Sequence, residues 1–149
     1  MFFDKYSSEI VYGGVDGLIT TFAIIAGSLG AGFTYDIILI LGFASLLADG
    51  FSMGISSFLA EKMRIDKKYP FYVGLSTFAS FVAIGSLPLM PFAFGVDHSF
   101  ELAVVILAMA LFLLGYSKGQ LQQGVEYVFI GGVAVVVSFY AARYIKELV

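Results

Sequence analysis

The sequence predicts an all-α integral membrane protein, a bundle of five transmembrane helices. Of its 149 residues, 60% are hydrophobic and 13% are charged, and the mean hydropathy is +0.95. Soluble globular domains carry about 25% charged residues, so most of these side chains cannot face water. Apolar stretches such as 37–41 and 103–114 lack the alternation of a membrane β-strand. We therefore expect a single transmembrane domain over residues 1–149.

Five apolar segments have the roughly 20 residues, within a range of about 17 to 25, that a helix needs to cross a bilayer. They cover residues 10–33, 37–60, 71–92, 100–116 and 125–145. Asp36 is a candidate N-cap for the second segment, as are Asp97 or Ser99 for the fourth. Pro88 and Pro91 are expected close to the end of the third segment.

Basic residues concentrate at one end of this predicted bundle. With five spans, the N-terminus and the second and fourth connections share a side, which carries Lys5, Lys62, Arg64, Lys67, Lys68 and Lys118. The opposite side carries Arg143 and Lys146. Because cytoplasmic loops are enriched in Lys and Arg, we expect the N-terminus in the cytoplasm. The short N-terminal segment, without a recognisable presequence, favours a prokaryotic plasma membrane.

Two acidic residues stand at membrane depth. Asp16 lies about six residues into the first span, and Asp49 lies near the middle of the second. A charged side chain at the centre of a membrane helix costs at least ~2.5 kcal/mol on insertion scales. No Lys or Arg occurs deep in any span to neutralise either residue. Each carboxyl group must therefore be protonated, hydrogen-bonded, hydrated or bound to a cation from outside the chain.

The neighbours of these residues favour a bound cation. Thr20 follows Asp16 by one helical turn, and Met53 follows Asp49 in the same way. In antiparallel helices, Asp16 and Met53 reach a similar depth, ~9 Å and ~10 Å from the cytoplasmic ends. Carboxylate, hydroxyl and thioether groups suit a borderline divalent ion such as Fe²⁺ or Mn²⁺. Glu61 is a candidate metal-entry residue. Considered without their neighbours, Glu61 would be a solvated helix end, and Met53 would fill space in the hydrophobic core.

The two acids also have a structural interpretation. Asp16 would then bond to Thr20 or to a backbone carbonyl, and Asp49 would bond to Ser45 or Ser52. A chain of this kind would be a non-transporting membrane scaffold or subunit without a water-filled path. A passive cation channel is a third possibility, and it would need no proton coupling.

Composition excludes several other classes of function. The net charge of −3 predicts no nucleic-acid partner, and the absence of cysteine excludes disulfides and thiolate metal sites. With His98 as the one histidine, a structural Zn²⁺ site is not expected. We expect no enzyme activity and no cofactor; a divalent metal is the expected cargo, and the lipid bilayer the surroundings.

Glycines in the first span predict a close helix contact. Gly13 and Gly17 form a GxxxG step, which allows two membrane helices to approach within one chain or across a dimer. The pattern does not say which of these contacts is made.

Four stretches resemble the vacuolar iron transporter family, in order along nearly the whole chain. Residues 10–21, IVYGGVDGLITT, are similar to the family's first helix with its FGxNDG type of motif. Residues 47–54, LADGFSMG, are similar to the ADAxSMG pattern of the second helix. Residues 87–92, LPLMPF, resemble the PLxPY end of the third helix, and residues 113–119, LLGYSKG, resemble the fourth helix and its following turn.

The resemblance implies five spans, a homodimer, and an ion path between subunits lined by the first and second helices. It implies that Fe²⁺ or Mn²⁺ leaves the cytoplasm in exchange for protons. It also implies that Asp16 and Met53 are the metal contacts on that path, with Asp49 relaying protons or completing the coordination shell.

The chain departs from the family pattern in places. Well-known members insert a cytoplasmic domain rich in Glu and Met between the second and third helices, whereas this connection has about ten residues and is strongly basic. Its candidate metal contacts are Glu61, Met63 and Asp66. Val15 stands where the family has Asn, and Ser57 where it often has an acid. The resemblance therefore supports the membrane path better than cytoplasmic metal loading.

Overall fold

A computed structural model describes residues 5–66, 68–117 and 119–148, and within these ranges all long elements are helices. The five long helices are α1 (Ser7–Gly30), α2 (Tyr35–Lys62), α3 (Pro70–Gly85), α4 (Ser99–Tyr116) and α5 (Leu121–Leu148). Each is long and apolar enough to span a membrane, α3 when taken with the turns that follow it to Ala93. The predicted fold class is confirmed. Lys67 and Lys118, assigned above to the basic end, lie outside the described residues.

The helices begin before the apolar segments that predicted them, and α2 and α5 also end after theirs, whereas α1 ends at Gly30, three residues before the predicted end. α1 begins at Ser7, and α5 runs from Leu121 to Leu148. An apolar run marks the part of a helix that lies in hydrocarbon, whereas backbone hydrogen bonding continues into polar surroundings. The N-cap of α2 is Thr34, so the assignment of Asp36 to this position was wrong. Asp36 lies in the first turn, where its charge complements the helix dipole.

Two prolines change the third span without ending it. After Gly85 the chain forms a 3₁₀ turn at Leu87–Leu89 and a single α-helical turn at Met90–Ala93. Pro88 and Pro91 each lie in the first positions of their turn. Proline is tolerated there because those positions need no intrahelical N–H.

α1 is the central helix and contacts each of the other four. Its most extensive contact is with α3, whereas its contact with α2 is much smaller. α2 also packs mainly against α3. The two helices that carry the membrane acids therefore both lie against α3, with a cleft between them.

Glycines determine how closely α1 approaches α3. A Cβ atom on Gly17 would lie 2.5 Å from the carbonyl oxygen of Phe81, and a Cβ on Gly13 would press against the carbonyl oxygen of Thr77. Helix backbones this close leave no room for a side chain. The GxxxG step therefore joins two helices of the same chain, which answers the question that the sequence left open.

The hydrophobic core lies around α1, α3 and α4. Its fully buried members include Leu18, Phe22, Phe81 and Leu111. α5 lies at the edge of the bundle, and among its residues Gly124 and Gly131 alone are buried. Much of the α5 surface is apolar and open, as expected for a helix whose outer side faces lipid.

A candidate metal path along the first two helices

Asp16 lies in the interior of α1, nine residues from its start at Ser7, which is ~13 Å along the helix axis. Its side chain is exposed on the surface of the single chain. Among the described residues, no group donates a hydrogen bond to its carboxylate. The bond to Thr20, one of the two bonds that a packing role predicts, is therefore not made.

Asp49 lies at the middle of α2, ~20 Å from either end of the helix. It is also exposed on the single chain. The hydroxyl of Ser45, one turn earlier, donates a hydrogen bond to Asp49 Oδ2. This is one of the bonds that a structural role predicts, but it involves only one of the two carboxylate oxygens.

Asp16 and Asp49 lie on helices that contact each other, close enough for the charge of one carboxylate to act on the other. No described Lys or Arg forms an ion pair with either residue. Two like charges at membrane depth, with no described Lys or Arg paired to them, can be neutralised by protons or by a cation from outside the chain.

Residues that could bind a metal ion share one side of each helix with its acid. The α1 stripe consists of Glu9, Tyr12, Asp16 and Thr20. The α2 stripe consists of Asp49, Met53, Ser57 and Glu61. Their spacings of three and four residues place each set along one side of its helix.

An inner pocket of 290 Å³ lies at the basic end, between the two stripes. Glu9 and Tyr12 line it from α1, and Ser57 and Glu61 line it from α2. Sequence reasoning missed Glu9 and Tyr12, because a polar residue at a helix start needs no special explanation. Their spacing from Asp16, four residues to Tyr12 and seven to Glu9, was the signal that identifies them.

Glu61 is buried, with 3% of its surface exposed. The backbone N–H of Lys68 donates to Glu61 Oε1 at 2.6 Å, and the Arg64 guanidinium donates to Oε2 at 3.4 Å. The Lys68 ammonium reaches Glu9, with Nζ 2.9 Å from Oε1. Glu61 is thus neither a solvated helix end nor an open ligand, because the connection folds back onto it and brings Lys68 to Glu9, which lines the inner pocket.

Thr20 lines an outer pocket of 570 Å³ between α1 and α5, together with Ser28 and Ser138. Tyr12 lines the inner pocket, and Asp16 lies one turn from each of these two residues on the same side of α1. Along α1, Asp16 therefore lies between a residue that lines the inner pocket and one that lines the outer pocket.

Met53 is half-buried and packs against the hydrophobic core. The buried part of the Met53 side chain therefore fills space in the core. Met53 also lies on the α2 stripe, one turn from Asp49. Within the described ranges, no group of three His, Cys, Asp or Glu side chains is close enough to hold a metal ion. The described residues of one chain therefore do not form a complete metal site by themselves.

Comparison with known proteins gives a family match along most of the chain. The model of the VIT family matches residues 7–68 and 60–143, and the two matches meet at the α2–α3 connection. A protein named vacuolar iron transporter from Toxoplasma gondii is 28% identical over an alignment of 193 residues, which covers 77% of this chain and 64% of that protein.

Proteins of the same name from Plasmodium berghei and Plasmodium falciparum are 40% and 39% identical over 57 residues, or 38% of this chain and 21% of each relative. The chain therefore spans less than two thirds of the length of the relatives it matches. No solved structure matches it. Because the family model matches most of the chain, from α1 to α5, this protein belongs to the VIT family.

Proposed function

We propose that this protein carries Fe²⁺ or Mn²⁺ out of the cytoplasm in exchange for protons, as a homodimer. The observation that carries the proposal is the carboxylate of Asp16, which lies at membrane depth beside Asp49 without a hydrogen-bond donor or a cation among the described residues. The membership of the VIT family and the names of the relatives support iron as one cargo.

The donor set supports a first-row divalent ion. Asp16, Asp49 and Thr20 offer oxygen atoms, and Met53 offers a thioether. Oxygen donors suit Mn²⁺ and Fe²⁺, and a single soft thioether favours a borderline ion over Mg²⁺ or Ca²⁺. In this proposal Asp16 and Met53 are the principal contacts, and Asp49 and Thr20 complete the shell.

Exposure of the two acids supports a dimer. A carboxylate that faced lipid at this depth would cost at least ~2.5 kcal/mol, so these side chains need a cover other than hydrocarbon. A second copy related by a two-fold axis would cover the cleft and would present its own Asp16 and Asp49 to the same space. The pairing would also add ligands to a set that the described residues of one chain do not complete.

The two pockets support an order of events along the path. Metal enters the inner pocket, where Glu9 and Glu61 attract it and Lys68 competes with it, and then reaches Asp16. Carboxyl groups must lose their protons to bind a metal ion, so loading two of them releases up to two protons. Protons returning from the other side reload the carboxylates and release the metal toward the outer pocket.

The test is metal flux into proteoliposomes that contain the purified protein, with Fe²⁺ and Mn²⁺ supplied separately and with or without a pH gradient. We expect Asp16→Asn to reduce flux at least tenfold, and the control Asp36→Asn, an exposed acid at the far end of α2, to leave flux unchanged. Equal flux in the wild type and Asp16→Asn would remove Asp16 from the mechanism.

Two other outcomes would decide between the remaining classes. Flux that does not respond to the pH gradient would identify a passive channel. The absence of any metal flux in the wild type would favour a scaffold, for which the Ser45–Asp49 hydrogen bond is the supporting observation.

A further inference from the structure

An apolar groove runs between α2 and α3, on the flank of α2 that is turned away from the cleft. Its walls are Phe51, Ile55 and Phe58 from α2 and Phe71, Leu75 and Phe78 from α3. Its volume of 320 Å³ is at the lower end of the range of about 300–1,000 Å³ that is usual for small-molecule sites. We propose that this groove and Lys62 together bind one anionic phospholipid, with an acyl chain in the groove and the phosphate at Lys62.

Two glycines form the floor of the groove. A Cβ atom on Gly74 would lie 2.6 Å from the carbonyl oxygen of Gly54 and 2.9 Å from Cβ of Phe58. The two helices therefore touch through their backbones, and the aromatic side chains stand on either side of the contact. A slot between ring walls is shaped for a narrow, flexible hydrocarbon chain.

The length of the site matches one leaflet of a bilayer. Phe51 and Lys62 are eleven residues apart on α2, which is ~16 Å along the axis. Half of the hydrocarbon core is about 15 Å thick. A lipid whose phosphate lies at Lys62 therefore places its chain along the whole groove and ends near Phe51.

Charge complementarity selects an anionic headgroup. Lys62 Nζ lies 5.3 Å from the ring centroid of Phe58, so the cation stands directly above the apolar slot. No described carboxylate lies within ion-pair distance of Lys62, whereas Lys68 is occupied by Glu9. A basic side chain near the membrane surface attracts anionic lipid, and here it does so at the opening of a groove.

The groove is separate from the candidate metal path. At 100° per residue, Phe51 lies about 200° around α2 from Asp49. A lipid in the groove would therefore leave the cleft between α1 and α2 open. The proposal does not depend on metal transport, and its test has no transport readout.

The chain contains no tryptophan, so one introduced tryptophan can report on the groove without background. Leu75→Trp places the reporter in the wall, at a residue whose side chain is 46% exposed. The full-length variant would be reconstituted in phosphatidylcholine vesicles, and quenching would be measured as brominated phosphatidylglycerol or brominated phosphatidylcholine is added. We expect about fivefold preference for the brominated phosphatidylglycerol, the effect of roughly one basic residue near a membrane surface.

Two further variants in the Leu75→Trp background separate a site from general attraction. Lys62→Gln is expected to abolish the preference, and Lys5→Gln to leave it intact. Lys5 is a matched control because it lies at the same end of the bundle and also stands over aromatic rings, those of Tyr6 and Tyr69.

Three outcomes would overturn the proposal. An equal loss of the preference for phosphatidylglycerol in both Lys variants would show that anionic lipid is attracted to the whole basic end of the bundle. Weak quenching by both brominated lipids would show that no acyl chain enters the groove. Protection of the reporter that depends on protein concentration would show that a second copy of the chain occupies the groove instead.

Discussion

The two sides of α1 differ in how they meet their neighbours. Toward α3, Gly17 brings two backbones so close that a Cβ would lie 2.5 Å from the Phe81 carbonyl oxygen. Toward α2, contact is much smaller; on that side of α1 Tyr12 lines the inner pocket, and Thr20 lines the outer pocket toward α5. One side of the helix thus fixes the position of Asp16, and the other leaves space beside it. A membrane transporter needs both, because a charged site must be held in place while the space around it changes.

The largest effect on stability is expected when the close contact between α1 and α3 is disrupted. Gly17→Val would push a branched side chain into the backbone of α3, and overpacking of this kind costs about 1–3 kcal/mol or more. We expect little monodisperse protein and a strongly lowered midpoint of thermal unfolding. Gly132→Val is the matched control, since a Cβ on Gly132 would meet no atom within 4 Å. A similar loss of stability in both variants would show that the close α1–α3 contact contributes no more to stability than an open glycine position does.

The second effect concerns charge on the open side. Asp49→Asn keeps the side-chain volume and an acceptor for the Ser45 hydroxyl, but it removes a negative charge beside Asp16. We expect metal flux to fall about tenfold, which corresponds to the loss of a charged metal contact worth ~1.4 kcal/mol. The midpoint of thermal unfolding should not fall, because a like-charge neighbour is removed.

Ser45→Ala is the control for Asp49. It removes the hydrogen bond and keeps the charge, and a net hydrogen bond is worth about 1 kcal/mol at most positions. We expect a smaller loss of flux than in Asp49→Asn. If Ser45→Ala were the more damaging variant, Asp49 would be a structural residue that the hydroxyl holds in the helix.

The difference between local properties and contacts between helices explains which features the sequence predicted. The five spans and the pair Asp16 and Asp49 follow from local properties, namely the length of apolar runs and the cost of a charge in lipid. The helix that packs against the GxxxG step was not predictable, because the glycines indicate a close helix contact but do not identify the partner helix. The burial of Glu61 was not predictable either, since it depends on a backbone bond from Lys68, seven residues later.

A third effect is expected at the inner pocket. Lys68 holds a positive charge 2.9 Å from Glu9, where an entering cation would bind. Lys68→Gln removes this competitor, so we expect a KM for metal lowered about two- to fivefold with a nearly unchanged maximal flux. The pair is only partly exposed, and its loss should cost no more than about 1 kcal/mol of stability. Lys5→Gln is the control, because Lys5 lies at the same end of the bundle and is not among the residues that line the inner pocket. A raised KM in Lys68→Gln would mean that Lys68 holds the pocket in shape.

The smallest effect separates the two interpretations of Met53. Leucine has nearly the same volume as methionine, and such exchanges in a core cost less than ~1.5 kcal/mol. If the thioether contacts the metal, Met53→Leu will raise the KM about two- to threefold, more for Fe²⁺ than for the harder Mn²⁺, at an unchanged midpoint of thermal unfolding. Met90→Leu, in the turn after α3 and far from the α2 stripe, is the control. Equal flux of both metals in Met53→Leu and the wild type would assign Met53 to the core alone, and the path would then rest on oxygen donors from α1 and α2.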